Sequence, residues 1–561
     1  MRSFSILALL IFVASCTRPA PPVEPDPSTQ IRLDGLGQAI GFVSPEGAHV
    51  WRGLSYAAPP VGDLRWRAPR PAEGWAGERI ATEHGPACAQ LANTLSAGDE
   101  LEPGMLIGSE DCLTIDVYAP PDSENLPVMV WIHGGSNIWG QASQYSGAQL
   151  AMDQSVIVMV VQYRLGPLGF LSSQVLRDSA QIPEDEAANF AILDLVEALH
   201  WVRQHASAFG GNSANVTIFG ESAGGHNVVG LLASPLASDL FDRAIIQSGS
   251  LMTVTADDAE GRGVEEDNAS DQVLPRITGG PVTADALRSA ELADIYAAYG
   301  PTETGYYELP RMIEDGVAVP AGGIRMALES PETFNAVPVM TGTNRDEMRL
   351  FNALDPEIST RTMGLFYRPR DKDYFSTLSD YQSAMWTIGA VDDPAALMVA
   401  GGHDDVWAYR FDWDEGGSNL FIDTRFMLGA AHGMEIPFVF NHFDLFGVLD
   451  SVLFNGRNED GRIRLAHQMG QYWTDFARHG DPGGDWQSWG MTGQRMRFDS
   501  AQGGGPEMIE GRGSVANLAQ ALASDARIDD DERCRIALAM QDRFFGDGAS
   551  IHSRLNCPSE G

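Results

Sequence analysis

One short segment limits the folds open to this chain more than any other. Val216-Thr217-Ile218-Phe219 is an apolar, strand-like run. Gly220-Glu221-Ser222-Ala223-Gly224 follows as a Gly-rich turn, and His226 to Leu232 suits a helix. A strand that enters a helix through a G-x-S-x-G turn places the serine hydroxyl at a helix N-terminus. The positive end of the helix dipole and its free N–H groups favour negative charge developing there. In a chain with 60 Gly residues the five-residue pattern alone carries little weight, and a Ser capping a helix in an ordinary turn is the competing reading. The strand before it and the helix after it supply the context the chemistry needs. Ser222 is therefore the candidate nucleophile.

The neighbouring sequence repeats the same grammar. Pro127 to His133 and Ser155 to Tyr163 are nearly continuous apolar runs. A helix is predicted from Asp185 to Ala208, apolar at Phe190, Leu193, Val196, Leu199 and Trp201. Ala244 to Gln247 and Val337 to Thr341 are further predicted strands. Apolar strands separated by helices indicate an α/β fold with a mostly parallel sheet covered on both faces, and sites in such sheets lie at the carboxyl ends of the strands. Thr253 to Glu332 is less regular and reads as helical excursions over the sheet, shaping a cleft. No composition break marks a second domain, so residues 31–561 are expected to form a single one.

A serine nucleophile needs a base, and the base needs a group that orients it. His432 lies in the small-residue loop Ala430-Ala431-His432-Gly433-Met434-Glu435, late in the chain, and is the candidate base among twelve His. His226 sits one turn along the nucleophile helix, better placed to pack or cap. The acid is expected between nucleophile and base. Glu347 and Asp346 both follow the strand ending at Thr341, and spacing leaves both open. An oxyanion hole requires the N–H after the nucleophile, that of Ala223, and N–H groups from a Gly-rich loop. Gly134-Gly135-Ser136, after the strand ending at His133, supplies such a loop, with Gly135 and Ser136 as donors.

Charge narrows the partners. The chain carries 37 basic and 76 acidic residues, a net charge of -39, and Lys372 is its one Lys. Such a surface repels phosphate backbones and argues against nucleic acid as a partner. The single Lys has Pro369 three residues before it, which excludes a Ser-x-x-Lys hydrolase. His403-Asp404-Asp405 lacks ligand spacing, so neither metal nor other cofactor is expected.

At the N-terminus, Met1-Arg2-Ser3 precedes an apolar run, Phe4 to Ala14. The run suits a secretory signal and is too short to span a bilayer. Val13-Ala14-Ser15-Cys16 resembles a bacterial lipobox, in which Cys16 would become the lipidated first residue after removal of residues 1–15. A plain signal peptide cut at Ala14 or Ser15 is the alternative. Residues 16–30 hold five Pro and read as a stiff tether. Together these imply an exported, lipid-anchored protein of the cell envelope. Four further cysteines remain, Cys88, Cys112, Cys534 and Cys557, an even set that suggests two disulfides in an exported chain. Three connectivities are open; the sequence-local one pairs Cys88 with Cys112 and Cys534 with Cys557.

Several long segments, in order, resemble type-B carboxylesterases, the family that also includes cholinesterases and neuroligins. Arg52-Gly53-Leu54-Ser55-Tyr56-Ala57-Ala58-Pro59-Pro60-Val61-Gly62 resembles the family's N-terminal signature. Ser109-Glu110-Asp111-Cys112-Leu113-Thr114-Ile115-Asp116-Val117-Tyr118 resembles its second, which holds one end of a typical disulfide and so favours Cys88–Cys112. The resemblance runs from about Gly41 to Phe545. It implies the α/β-hydrolase fold and hydrolysis of small-molecule carboxylic esters. It also implies a triad of Ser222, Glu347 and His432, preferring Glu347 over Asp346. Gly135, Ser136 and Ala223 match the oxyanion donors, and Ser248 becomes a candidate neighbour of the triad. The chain departs from the family where Ser136 replaces a third Gly. It departs again in the Cys88–Cys112 loop, which holds no Trp, Tyr or Phe. Cation–π capture of a quaternary ammonium there is absent, which argues against choline esters. Amide or carbamate hydrolysis by the same triad, and a non-catalytic binding role on this fold, are the rival readings.

Overall fold

In the computed structural model, residues 23–93, 102–263, 268–300, 307–309, 312–362, 366–418, 423–540, 549–555 and 557 are described. The segment expected to be a signal, with Cys16, lies outside them. Asp26 to Gln30, read as the end of the tether, are held against the domain. The Asp26 N–H donates to Gly41 O at 2.9 Å, and Trp51 Nε1 donates to Thr29 O at 2.8 Å.

The apolar runs build an eleven-stranded sheet. In chain order its strands are β1 (Phe42–Val43), β2 (His49–Ser55), β3 (Thr114–Ala119), β4 (Leu126–Ile132), β5 (Ile157–Val161), β6 (Gly211–Glu221), β7 (Arg243–Gln247), β8 (Val339–Asn344), β9 (Val406–Phe411), β10 (Arg495–Phe498) and β11 (Glu507–Ile509). Their spatial order is β11-β10-β9-β8-β7-β6-β4-β5-β3-β2-β1. Strands β4 to β10 pair in parallel, and the outer strands pair antiparallel.

Period-two alternation sends side chains to both faces. Val128, Val130 and Ile132 of β4 enter one apolar cluster, and Met129 and Trp131 enter the other. Helices α1 (Phe190–His205) and α2 (Ala223–Ala233) cover the first face. A later helix, Glu459–His479, covers the second. Helix α1 is shorter than expected, because Pro183–Glu186 forms a separate 3-10 turn before it. The excursions between residues 253 and 332 are short helices plus a two-stranded parallel pair, Thr253–Thr255 with Met312–Glu314.

Register aligns the strand ends that carry the chemistry. Ile132 of β4 lies beside Gly220 of β6, Gly220 beside Ile246 of β7, and Ile246 beside Thr341 of β8. The loops after these four strands therefore leave the sheet at one level, on its carboxyl edge. Helices α3 (Arg349–Leu354) and α4 (Lys372–Thr387) stand over that edge, and α4 runs into a π turn, Ile388–Asp392. Helix α5 (Glu459–His479) has Glu459 and Asp460 in its first turn and Arg478 and His479 in its last. That is the charge order the helix dipole favours. Its Leu465, Met469, Trp473 and Phe476 join the second cluster.

The chain closes with α6 (Val515–Ser524), α7 (Asp530–Ala539) and α8 (Ala549–Arg554). Leu522, Ile536, Met540 and Ile551 form a third cluster with Leu378, Met385 and Ile388 of the α4 region. Full burial of such a side chain is worth about 1.5–3 kcal/mol, so this extension is docked rather than trailing. The cysteines pair as Cys88–Cys112 and Cys534–Cys557, with Cα–Cα distances of 5.0 Å and 5.5 Å. Among the described residues no helix is long and apolar enough to cross a membrane, and no cluster of His, Cys, Asp and Glu is fit to hold a metal.

Candidate active site

Ser222 stands where β6 breaks into α2, at φ 57 and ψ -122. Positive φ is unfavourable for a residue with a Cβ and persists where the surroundings impose it. Here the Ser222 N–H donates to Gln247 O at 2.9 Å, and Glu221 is in register with Gln247. Gly224 makes the turn possible by close approach: a Cβ there would lie 2.0 Å from Ile132 O. The turn is thus wedged against the end of β4.

The loop after β4 carries the candidate oxyanion donors. Gly135 has φ +109, and a Cβ there would strike Trp139 O at 2.0 Å, so only Gly fits. Asn137 and Asn227 exchange two amide hydrogen bonds, at 3.1 and 2.8 Å, tying this loop to α2. Tyr163 Oη donates to His133 O at 2.6 Å and fixes the loop's entry. Ala223 is the first residue of α2, where an N–H has no carbonyl partner within the helix. Ser136, Ser222 and Ala223 line one large cavity of about 1420 Å³, together with Ser248, Phe351 and Trp386.

Glu347 and His432 meet beside this turn. His432 Nδ1 stands 2.6 Å from Glu347 Oε2. The other oxygen, Oε1, accepts from the Asn344 N–H at 2.7 Å and from Ser248 Oγ at 2.5 Å. Glu347 is fully buried and held on three sides. Asp346, the rival acid, faces elsewhere: it pairs with Arg345 and Arg349 and accepts from the Ala430 N–H. The His432 ring lies under Phe351 and Trp386, with centroids 5.2 and 4.8 Å away. Its Nε2 points to the nucleophile turn and stands 3.2 Å from Oε1 of Glu221, the residue directly before Ser222.

Two further buried carboxylates surround the histidine. Glu435 accepts from Gln247 Nε2 at 3.0 Å and from Asn344 Nδ2 at 2.6 Å. Burial raises the Glu221 carboxyl to about 8; Glu435 and Glu347 add to this, and His432 opposes it. Burial works against the His432 cation, yet the charges of Glu221 and Glu347 prevail and hold it above its ordinary value, at about 9. His133 behaves oppositely: buried and stacked on Tyr163, it is pushed down to about 4 and stays neutral. Sequence reasoning did not single out Glu221, Glu435, Phe351 or Trp386. The first two sit inside the segments quoted for Ser222 and His432, three residues from His432 in the case of Glu435, so their positions were in view.

The chain as a whole has known counterparts. Residues 27–363 and 366–502 match the carboxylesterase family. The para-nitrobenzyl esterase of Bacillus subtilis is 34% identical over 484 residues, covering 82% of this chain and 92% of that protein. Carboxylesterase 1E of Mus musculus is 31% identical over 534 residues, covering 85% and 90%.

The chain belongs to the carboxylesterase family.

The esterase also superimposes on a solved thermophilic PNB esterase with a TM-score of 0.67 at 29% identity, covering 86% of this chain and 97% of that one. Its fold is that of the α/β-hydrolases, and its class of reaction is hydrolysis of carboxylic esters. The family match ends at residue 502, so the C-terminal helices α6 to α8 lie beyond it.

Proposed function

We propose that this carboxylesterase works by two-step acyl transfer through Ser222, His432 and Glu347. His432 takes the proton of Ser222, whose oxygen attacks the ester carbonyl. The oxyanion is held by the N–H groups of Gly135, Ser136 and Ala223. Glu347 orients the ring through Nδ1 and stabilises the imidazolium. The imidazolium then protonates the leaving alcohol, and water hydrolyses the acyl-enzyme with the same base. The observation that carries this reading is the buried Glu347–His432 contact at 2.6 Å, with the far nitrogen of the ring turned to the segment that bears Ser222. Purified Ser222→Ala should keep the wild-type circular dichroism, lose ester turnover and fail to react with a fluorophosphonate probe. Substantial turnover or labelling by that variant would overturn the assignment.

From the lipobox-like Val13-Ala14-Ser15-Cys16 we infer in addition that the enzyme lies outside the cytoplasm, anchored through a lipid on Cys16 after loss of residues 1–15. Two disulfides support this, since such bonds persist in oxidising compartments. Cys16→Ser should move the protein from the membrane to the soluble fraction of the envelope. An unchanged distribution would count against the anchor.

A further inference from the structure

The cavity does not end at the candidate triad. Its wall passes from Trp386, near the end of α4, into the π turn Ile388–Asp392 and on to Val515, the first residue of α6. A π turn in a helix is rare and recurs at functional sites. Here its surroundings hold it open. Thr341 Oγ1 donates to Ala390 O at 2.9 Å. Asp392 accepts from Arg495 of β10 at 2.6 Å and from the Gly513 N–H at 3.0 Å. Arg495 donates in addition to Gly511 O. Gly513 lies so close that a Cβ would stand 2.8 Å from both Asp392 and Ile388. One buried ion pair thus clamps sheet, π turn and C-terminal extension together, and Val515 follows two residues later.

This wall is mostly apolar: Met385, Trp386, Ile388, Ala390 and Val515 face the cavity, with Asp393, paired to Arg325, at its border. It also has a gap. Gly389 lines the cavity, and a Cβ there would meet no heavy atom within 4 Å. The cavity, at about 1420 Å³, exceeds the usual ~300–1,000 Å³ of a small-molecule site.

We propose that the π turn and Val515 form a subsite for a bulky apolar arm of the ester, with Gly389 giving the room and the C-terminal extension setting the depth. The proposal rests on the reading of the chain as an ester hydrolase acting through Ser222. The acyl chain and the alcohol both offer such an arm, and the two series of substrates below distinguish them.

The test uses the full-length protein, p-nitrophenyl esters of increasing acyl length, and acetates of increasingly bulky alcohols. In the wild type, kcat/KM should rise by roughly fourfold for each methylene buried, until the subsite is full. Gly389→Leu and Val515→Trp should cut the ratio of kcat/KM for the bulkiest good ester over the smallest ester by about tenfold or more, in one series only. Val515→Ala, a smaller change should either larger variant fail to fold, should shift the ratio toward bulkier esters. Equal losses on small and bulky esters, or unchanged ratios in all three variants, would overturn the subsite. If the wild type reacts with a fluorophosphonate and turns over small esters but never favours a bulky arm, the subsite falls and the triad reading stands. If the wild type neither reacts nor turns over, the triad reading falls first.

Discussion

The strand-borne edge of the site and its helix-borne wall are built on different physics. At the edge, Ser222, Glu347 and His432 sit on loops leaving a rigid parallel sheet. Short polar contacts fix each of them: 2.9 Å to Gln247 O, 2.5 and 2.7 Å onto Glu347, and 2.6 Å to His432. At the wall, Phe351, Trp386, Ile388 and Val515 are held mainly by an apolar cluster and one ion pair, Arg495–Asp392. Hydrogen bonds are directional and fix positions closely; apolar packing tolerates exchange of side chains of similar volume. The edge is therefore suited to fixed chemistry and the wall to variable recognition. The family match includes the edge and most of the wall, and of the wall residues named here only Val515, on α6, lies beyond it.

That division can be broken experimentally, and the sharpest cut is at the edge. Ser222→Ala should lower kcat on the order of 10⁶-fold with little change in melting temperature; a loss explained by unfolding would remove the contrast. Glu347→Gln keeps shape but cannot hold the imidazolium, and should cost about 10⁴-fold in kcat. Asp346→Asn serves as its control, since Asp346 pairs with arginines instead of His432. At the wall, replacing both Cys534 and Cys557 by Ser should lower stability by roughly 3 kcal/mol, the chain-entropy value for a loop of this size. That should be read by urea unfolding, with the fluorophosphonate reaction of Ser222 retained. Loss of labelling in the folded double variant would show that edge and wall are one unit.

The smallest effect concerns pH. Carboxylates beside His432 raise its folded-state value, so its neutral, basic form is reached only at higher pH. The acidic limb of kcat/KM should lie above the ordinary ~6.5 of histidine. Glu221→Gln removes one negative neighbour, lowers that value and should move the limb down by about one pH unit. A limb that stays in place would mean that Glu221 carries a proton throughout and that Glu347, with Glu435, raises the histidine.

The same contrast explains what could be read in advance. Ser222, the Gly134–Ser136 loop and His432 lie in segments whose residue types the chemistry demands, and the main strands of the parallel core fall within a few residues of their expected places. Glu347 was separable from Asp346 only by resemblance; in the structure Glu347 meets His432, whereas Asp346 pairs with Arg345 and Arg349. The wall was illegible. Trp386 and Val515 follow the same apolar helical pattern as core residues, and a π turn has no composition of its own. The early start expected for α1 failed because the acidic run after Pro183 closes its own 3-10 turn before Asn189 opens the helix.

The wide spacing of the polar contacts along the chain has a consequence for refolding. Ser248 and Glu347 are 99 residues apart, and Glu347 and His432 are 85 apart. Helices can form from neighbours in sequence, whereas these contacts exist only after long loops have closed, which is slow. Recovery of ester turnover from denaturant should therefore lag behind recovery of helical signal. A simple colour assay on such an enzyme reports the closure of its topology, and a chain with all its helices and none of its activity is one whose distant segments have yet to meet.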